Sequence, residues 1–330
     1  MRVAQLGAGR IGAMHAGILA GLLEPGALVV ADTDPARAAS VAETVGATHA
    51  GIEEAIASAD ALVVVASSSA HPELVRAGIG RGIPVFCEKP LATDLPETSL
   101  LADEVEASGI AFQLGFQRRF DAGYREARRL VDDGSLGTLY VVRLTGHDPE
   151  PPHEAYIPVS GGIFNDFSVH DFDVTRWLTG QEVEEVYADG GVVAFPMFGK
   201  YDDVDTAVAT LRLSGGTRGI LSTTRHDPLG YDIRTELFGS GDSVSVGLGP
   251  RTPLRSVEPG VPPPAGPAWP HFMDRFRDAY ENELRAFLRV ARGEEESACT
   301  ARDGLEAARV AVAATRSLRE HRPVRVAEVT

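Results

Sequence analysis

The chain reads as an α/β protein: a doubly wound parallel sheet at the front, then an α+β half with a large, mostly antiparallel, open-faced sheet. Three observations lead there. Up to Gly115, short apolar strands alternate with helical stretches, the order that builds a parallel sheet with helical crossovers. The first strand runs directly into Gly7-Ala8-Gly9-Arg10-Ile11-Gly12 and a helix behind it. After Gly115 the pattern changes to strand-like stretches with few helices between them. The expected boundary divides the chain into residues 1–116 and 117–330.

Taken in order, Arg2 to Leu6 is a short apolar strand, and an Ala/Leu-rich helix follows the glycines and ends before Pro25. Ala27 to Ala31 is a second strand, closed by Asp32 twenty positions after Gly12. Strand, glycine loop, helix, strand and acid in this register are the parts of a dinucleotide site of the Rossmann type. Gly7 permits the tight turn, Gly9 lets backbone approach a pyrophosphate, and Gly12 lets helix and strand pack closely. Arg10 and Ile11 complete the loop at the positive end of the helix. Asp32 bears on the cofactor. A carboxylate accepts hydrogen bonds from both adenosine ribose hydroxyls, whereas a 2′-phosphate there meets like charge. At ~4 Å and an effective dielectric near 20, each unit pair is unfavourable by about 4 kcal/mol before screening. NAD is therefore expected over NADP, although Arg37 or Arg10 could offset part of the repulsion, and an Asp before Pro35 can also be a plain turn or cap residue.

Ala61 to Ala66 is a buried-type strand leading to Ser67-Ser68-Ser69-Ala70-His71 and a helix to Gly80. Ile83 to Cys87 is the next strand, ending in Glu88-Lys89-Pro90; residues 94–108 read as a helix and Ala111 to Gly115 as the last strand. Ligands of such sheets bind beyond the carboxyl ends of the strands, where Ser67, His71, Glu88 and Lys89 fall. Lys89 is expected to face the nicotinamide side. A lysine at a desolvated strand end is a plausible proton relay, and a solvated lysine before a turn proline is the plainer alternative.

In the second half, strand-like alternation occupies Leu139–Thr145, Val183–Val193, Val204–Leu213, Thr217–Thr224, Tyr231–Phe238 and Ser243–Val246, with a hairpin turn at Ser214-Gly215-Gly216. Phe272, Phe276, Tyr280, Leu284, Phe287, Leu288 and Ala291 follow a helical period and read as one long core-facing helix. Residues 301–319 form a further helix, and Pro323 to Val329 a terminal strand. The proline- and glycine-rich Gly249–Pro270 reads as a surface loop.

The richest stretch is Ser160-Gly161-Gly162-Ile163-Phe164-Asn165-Asp166-Phe167-Ser168-Val169-His170-Asp171-Phe172-Asp173. Phe167, Val174 and Leu178 recur at helical spacing, which would set Asp166, His170 and Asp173 within about 60° of one another on a neighbouring stripe. An imidazole flanked by carboxylates one turn away can be oriented and used as a proton carrier; the same pattern also decorates surface helices. The polar, proline-rich segment 145–165 leads into this helix. It offers His147, Asp148, Tyr156 and Asn165 as substrate ligands, with Arg118, Tyr231 and Asp232 from elsewhere. His153-Glu154 lacks the second histidine of a metalloprotease motif, and no metal is expected.

With Glu88-Lys89-Pro90, the opening loop and the Asp166/His170 stretch together, the chain resembles the glucose–fructose oxidoreductase/inositol dehydrogenase (Gfo/Idh/MocA) family. The likeness runs from Val3 to about Val326. Gly115-Phe116-Gln117-Arg118-Arg119-Phe120-Asp121, Asp148-Pro149-Glu150-Pro151-Pro152, Ser160 through Asp173, and Gly230-Tyr231-Asp232 point more narrowly to its inositol 2-dehydrogenase group. The resemblance implies that Lys89 bonds the reacting hydroxyl and relays its proton, and that His170 is the base. It implies that Asp166 holds the imidazole and a neighbouring hydroxyl, and that Lys89–Pro90 is cis. It further implies an NAD-binding domain followed by a substrate and oligomerisation domain, assembled as a tetramer or dimer through the open sheet face. Gln117 departs from the larger apolar residue common in that group, which bears on the preferred polyol. The alternatives are an NAD(P)-dependent dehydrogenase of another cyclic polyol, an aldose or an amino-sugar precursor, and a non-catalytic NAD-binding sensor.

Composition agrees with this picture. The 330 residues suffice for two domains with substantial cores. With only Cys87 and Cys299 there is no disulfide framework, and the chain starts directly in a strand; a cytoplasmic location is expected. The apolar stretch after Ile11 is broken by His15, Glu24 and Pro25, so no membrane span is expected. A net charge of −16 disfavours nucleic acid, anionic membranes and anionic substrates, and suits a neutral polyol.

Overall fold

The computed structural model describes residues 1–329. The chain divides into two compact units, Met1–Phe120 with Asp278–Leu305, and Asp121–Arg277 with the segment from Glu306 onward.

In the first unit the order is β1 (Val3–Leu6), α1 (Arg10–Leu22), β2 (Leu28–Ala31), α2 (Pro35–Val45), β3 (Thr48–His49), α3 (Ile52–Ser58), β4 (Ala61–Val64), α4 (His71–Arg81), β5 (Val85–Glu88), α5 (Leu95–Ser108) and β6 (Phe112–Gly115). The sheet is six-stranded and parallel throughout, in the order β3-β2-β1-β4-β5-β6. Every residue of β1, β2 and β4 is buried, as strands covered on both faces require. Chain order reverses between β1 and β4, so the crevice beyond their carboxyl ends lies where a ligand of this fold binds. Helix starts are set locally: Asp34 accepts from the Ala36 and Arg37 amides at the head of α2, and Asp94 from the Glu97 amide at the head of α5.

The long helix expected over 272–291 is broken. A turn, Phe272–Arg275, precedes Phe276, and the regular helix is Arg277–Ala291. Phe276 packs edge-on against Tyr231 in the second unit. Leu284, Phe287 and Leu288 instead join Val3, Leu19, Val30, Val63 and Phe86 in the core of the first. The compact units are thus discontinuous, where the sequence reading ran each domain as one stretch. Periodicity shows that a helix buries a face, and burial of about 1.5–3 kcal/mol per large apolar side chain then decides which sheet receives it.

In the second unit α6 (Ala122–Asp132) starts at Asp121, whose carboxylate accepts from the Gly123 and Tyr124 amides and from Arg275 at 2.8 Å. The strands β7 (Leu139–His147), β8 (Val183–Gly191), β9 (Thr206–Leu213), β10 (Arg218–Thr224), β11 (Asp232–Gly239), β12 (Ser243–Val246) and β13 (Val324–Arg325) form a seven-stranded sheet in the order β12-β11-β7-β10-β9-β8-β13. Only the β7–β10 pair is parallel. In β9 and β10 buried positions alternate strictly with more exposed ones, the mark of a sheet covered on one face. The opposite face carries the cross-strand row Tyr187, Thr210, Ile220, Arg143 and Glu236, with Arg143 paired to Glu236. The terminal strand is shorter than expected, because Val326–Glu328 turns into a 3-10 helix whose Glu328 accepts from the Arg325 amide. Gly249–Pro270 forms the expected loop, its return held by Arg251 over the Trp269 ring at 3.6 Å and by the Tyr231 amide donating to Trp269 O. No helix among the described residues is long and apolar enough to cross a membrane.

Candidate active site

In the first unit the candidate residues gather from the end of β1 onward. Gly7 has φ +114°, and a Cβ there would lie 2.5 Å from Val65 O; a Cβ on Gly12 would lie 2.4 Å from Gly7 O. Both glycines are demanded by the protein's own backbone. Gly9 is different, since nothing lies within 4 Å of its Cβ direction, and that side of the loop is open to an incoming group. The head of α1 carries no side-chain cap, unlike α2 and α5, and no acid in its first turn, unlike α5. The first amides of such a helix end can serve an anion. These features fit a dinucleotide pyrophosphate.

Two residues complete the loop. Asp32, at the end of β2, accepts from Ala8 N at 2.7 Å and Asp34 N at 2.8 Å, and is 8% exposed beside Arg37 at 3.6 Å. Its lone pairs are shared between the loop and whatever lies beyond β2, so it shapes the turn as well as standing where a ribose would be met. Gln5 was missed by sequence reasoning: its buried amide donates to Gly7 O at 2.9 Å and to Gly12 O at 2.8 Å, bracing the turn from beneath. A lone polar residue in an otherwise apolar strand was the available signal. Asp32→Asn is expected to weaken NADH binding by about 1–3 kcal/mol, roughly 5- to 150-fold, because an amide group must then face a backbone N–H. No preference for NADPH should result. Fluorescence titration with both nucleotides checks this, and an unchanged NADH affinity would overturn it.

At the ends of β4 and β5 the polar residues turn largely inward. His71 is buried, with Nδ1 2.7 Å from Pro90 O and Nε2 3.2 Å from Ala66 O. Burial lowers its pKa against the pull of those two carbonyls, so the ring is a neutral brace for the Lys89–Pro90 turn. Glu88 Oε1 meets buried His15 Nε2 at 2.6 Å, and Glu88 Oε2 accepts from Lys89 N at 3.2 Å. The His15 ring stands edge-on to Phe86 and Tyr280. Lys89 is half-buried on a cis bond to Pro90, as the resemblance implied. Ser67 is exposed at the crevice, 3.3 Å from Ser69 by hydroxyl oxygens, and Arg118 is buried in the turn after β6.

In the second unit the candidate residues are built on the helix Val169–Thr179. Gly161 and Gly162 have φ +83° and +86°, and Asp203 Oδ1 accepts from Ile163 N at 3.1 Å. The chain then makes a π-turn, Phe164–Ser168, before the α-helix begins. Such turns change the angular step between residues and recur at functional sites. Asp166 lies in the π-turn and His170 in the first α-turn, each partly exposed; Asp173 is buried. Asp166 Oδ1 accepts from Tyr156 OH at 2.9 Å, and Oδ2 lies 2.9 Å from Arg225 Nη1. The same Nη1 is 3.5 Å from Asp148 Oδ2. Asp148, Tyr156 and Asp166 are therefore brought together by Arg225, which sequence reasoning missed: an Arg after a threonine-ended strand gives no hint of what it will pair with.

His147 Nε2 is 3.1 Å from Ser222 Oγ, with Nδ1 3.7 Å from Asp227 Oδ2. His147, Asp227 and Asp232 hold their ligand atoms within 4.8 Å, the one group among the described residues spaced for a metal. Asp232 is already engaged by Arg234 through two bonds, at 2.8 and 2.9 Å, which an ion would have to displace. Tyr231 is buried with its backbone paired to Trp269. Asn165 bonds Gly161 O at 2.9 Å and Thr315 Oγ1 at 3.3 Å, bracing the glycine turn.

Comparison with known proteins agrees with both halves. Residues 1–116 match the family described as oxidoreductase, NAD-binding Rossmann fold, and residues 124–245 the GFO/IDH/MocA C-terminal domain. The myo-inositol dehydrogenase Hyg17 of Streptomyces leeuwenhoekii is 43% identical over 96% of this chain and 97% of its own length. The myo-inositol 2-dehydrogenase of Thermotoga maritima is 36% identical over 100% of this chain and 99% of its own. A scyllo-inositol dehydrogenase from Lactobacillus casei, solved with bound NAD(H) and scyllo-inositol, superposes with a TM-score of 0.87 at 28% identity, covering 99% of each chain. With matches across both its nucleotide-binding and C-terminal halves, the chain belongs to the Gfo/Idh/MocA family of oxidoreductases.

Proposed function

We propose that this protein is an NAD-dependent inositol 2-dehydrogenase, oxidising one ring hydroxyl of myo-inositol or a close stereoisomer to the ketone. The observation that carries the reading is the extent of likeness to inositol dehydrogenases, 96% of this chain at 43% identity in one case. The likeness spans the substrate half as well as the dinucleotide half, so it does not rest on the cofactor fold alone.

Oxidation of the secondary alcohol breaks a C–H and an O–H bond, and the proton of the latter passes to the protein. NAD, when bound, supplies the hydride acceptor. The chain supplies the rest. His170 takes the hydroxyl proton, Lys89 bonds that oxygen and relays the proton, and Asp166 fixes the imidazole and a neighbouring hydroxyl. Gly7, Gly9, Arg10, Ile11, Gly12 and Asp32 hold the dinucleotide. Ser67, His71 and Glu88 shape its nicotinamide side, the last two by bracing the turn that bears Lys89. Arg118, His147, Asp148, Tyr156, Asn165 and Tyr231 surround or support the polyol, and no step needs a metal. The uncovered face of the second sheet, with Tyr140, Tyr187, Val208 and Ile220 exposed, serves as the homo-oligomer contact of a dimer or tetramer. Two free, buried cysteines suit a cytoplasmic enzyme.

Initial rates of NADH formation across inositol isomers and aldoses, with NADP in parallel, test the reading. Turnover of an inositol with NAD is expected. Activity confined to an aldose would keep the chemistry and move the substrate, and tight NADH binding with no turnover would favour a sensor.

A further inference from the structure

We propose that Arg225 is a positioning residue of the substrate half, acting through Asp166 and tying both ends of the 148–156 segment to the turn that precedes His170. The inference rests on the dehydrogenase reading above.

Arg225 follows β10 and is 3% exposed. A buried guanidinium is tolerated only where partners replace water, and an apolar residue of similar volume is frequently no less stable. Here only Nη1 is used, on Asp166 at 2.9 Å and Asp148 at 3.5 Å. Nε and Nη2 are buried without a hydrogen bond among the described residues, while the Phe167 ring lies 5.6 Å from Cζ. An arginine placed for stability would use its fork. This one is placed to meet two carboxylates, and departures from the stable solution of that kind concentrate at functional sites.

The geometry specifies what it positions. Asp148 opens the polar, proline-rich segment and Tyr156 closes it; Arg225 touches the first directly and reaches the second through Asp166, whose other oxygen receives the Tyr156 hydroxyl at 2.9 Å. Asp166 is thereby held by two partners at the π-turn, four residues before His170. Burial opposes the charge on Arg225, but Asp166, Asp148 and Asp203 outweigh it and raise its pKa, so the cation persists across the working range. Without it, three carboxylates gathered around one point would lose their common counter-charge.

The test is a double-mutant cycle on inositol oxidation with the intact enzyme. Arg225→Met is expected to lower kcat/KM roughly 10²-fold, the scale of a misplaced catalytic group, chiefly in kcat, while the Kd for NADH stays within about twofold. Arg225→Lys, which keeps the charge but not the fork, should recover part of that loss. In an Asp166→Asn background, Arg225→Met should add little further loss, because its effect runs through Asp166. Additive losses, or Arg225→Met with wild-type kcat/KM, would overturn the proposal. So would a Lys variant no better than Met. Should the Met variant fail to fold, the cycle with Arg225→Lys decides on the same additivity criterion. If the wild type oxidises another polyol or an aldose instead, the inositol reading fails alone and the cycle is run on that substrate; a wild type inactive on all of them overturns both.

Discussion

His170→Ala is expected to lower turnover of myo-inositol by roughly 10²–10⁴-fold, the range spanned by positioned acid–base groups. The imidazole sits in the first turn of the helix Val169–Thr179, partly exposed, four residues beyond an Asp166 held by Arg225 and Tyr156. On the proposed reading, its removal deletes the proton acceptor and leaves every element of the dinucleotide site in place. NADH affinity, read by fluorescence titration, should therefore remain within about twofold, and KM for the polyol should change less than kcat. If NADH binding collapsed together with turnover, His170 would belong to the cofactor site or to the fold, and its role as the base would fall. A loss below about tenfold would move the base elsewhere.

Lys89→Ala is expected to lower kcat/KM by a similar factor, roughly 10²–10³-fold, but with a different division. Lys89 is assigned to bond the reacting oxygen in the bound complex as well as to relay its proton, so KM should rise where His170→Ala leaves it nearly unchanged. The backbone at Lys89 does not depend on its side chain. Glu88 holds its amide, His15 holds Glu88, and His71 stands 2.7 Å from Pro90 O. The turn should keep its shape in the variant, and NADH affinity should hold within a few-fold. Steady-state rates at varied inositol, paired with NADH titration, separate the outcomes. A variant with unchanged KM and kcat would reduce Lys89 to a solvated residue before a proline.

Sequence reading went furthest where a residue's role is set by its own backbone neighbours. Gly7 and Gly12 are needed because a Cβ would strike backbone only a few ångströms away, and the strands on either side of the loop supply that backbone. The parallel order of the first sheet followed from alternating strands and helices, and the mostly antiparallel second sheet from strands with few helices between them. The same local logic placed the helix that bears His170, although it took the stretch from Asp166 onward as an ideal α-helix. The structure opens that stretch with a π-turn, Phe164–Ser168, which changes the angular step there.

Side-chain direction was less legible. Glu88 and His71 stand at strand ends, where a ligand would be sought, yet their bonds run to His15, Lys89 N and Pro90 O. Asn165 sits one residue from Asp166 and turns instead to Gly161 and Thr315. Which neighbour a polar group finds depends on segments far away in the chain, and no window of sequence contains both partners.

By itself, then, the amino-acid order determined what short-range sterics and periodic burial dictate: the glycine loop, the acid after β2, the parallel sheet of the nucleotide-binding half, and the residue types able to move a proton. Only the tertiary structure decided that Arg277–Ala291 packs in the core of the first unit, that Gln5 braces the glycine turn from below, and that one guanidinium at Arg225 joins Asp148 to Asp166. The reason is range. A buried charge or an apolar helix face states that it needs a partner, but the partner is chosen by which distant surfaces folding brings within a few ångströms, and that choice is made by the whole chain at once.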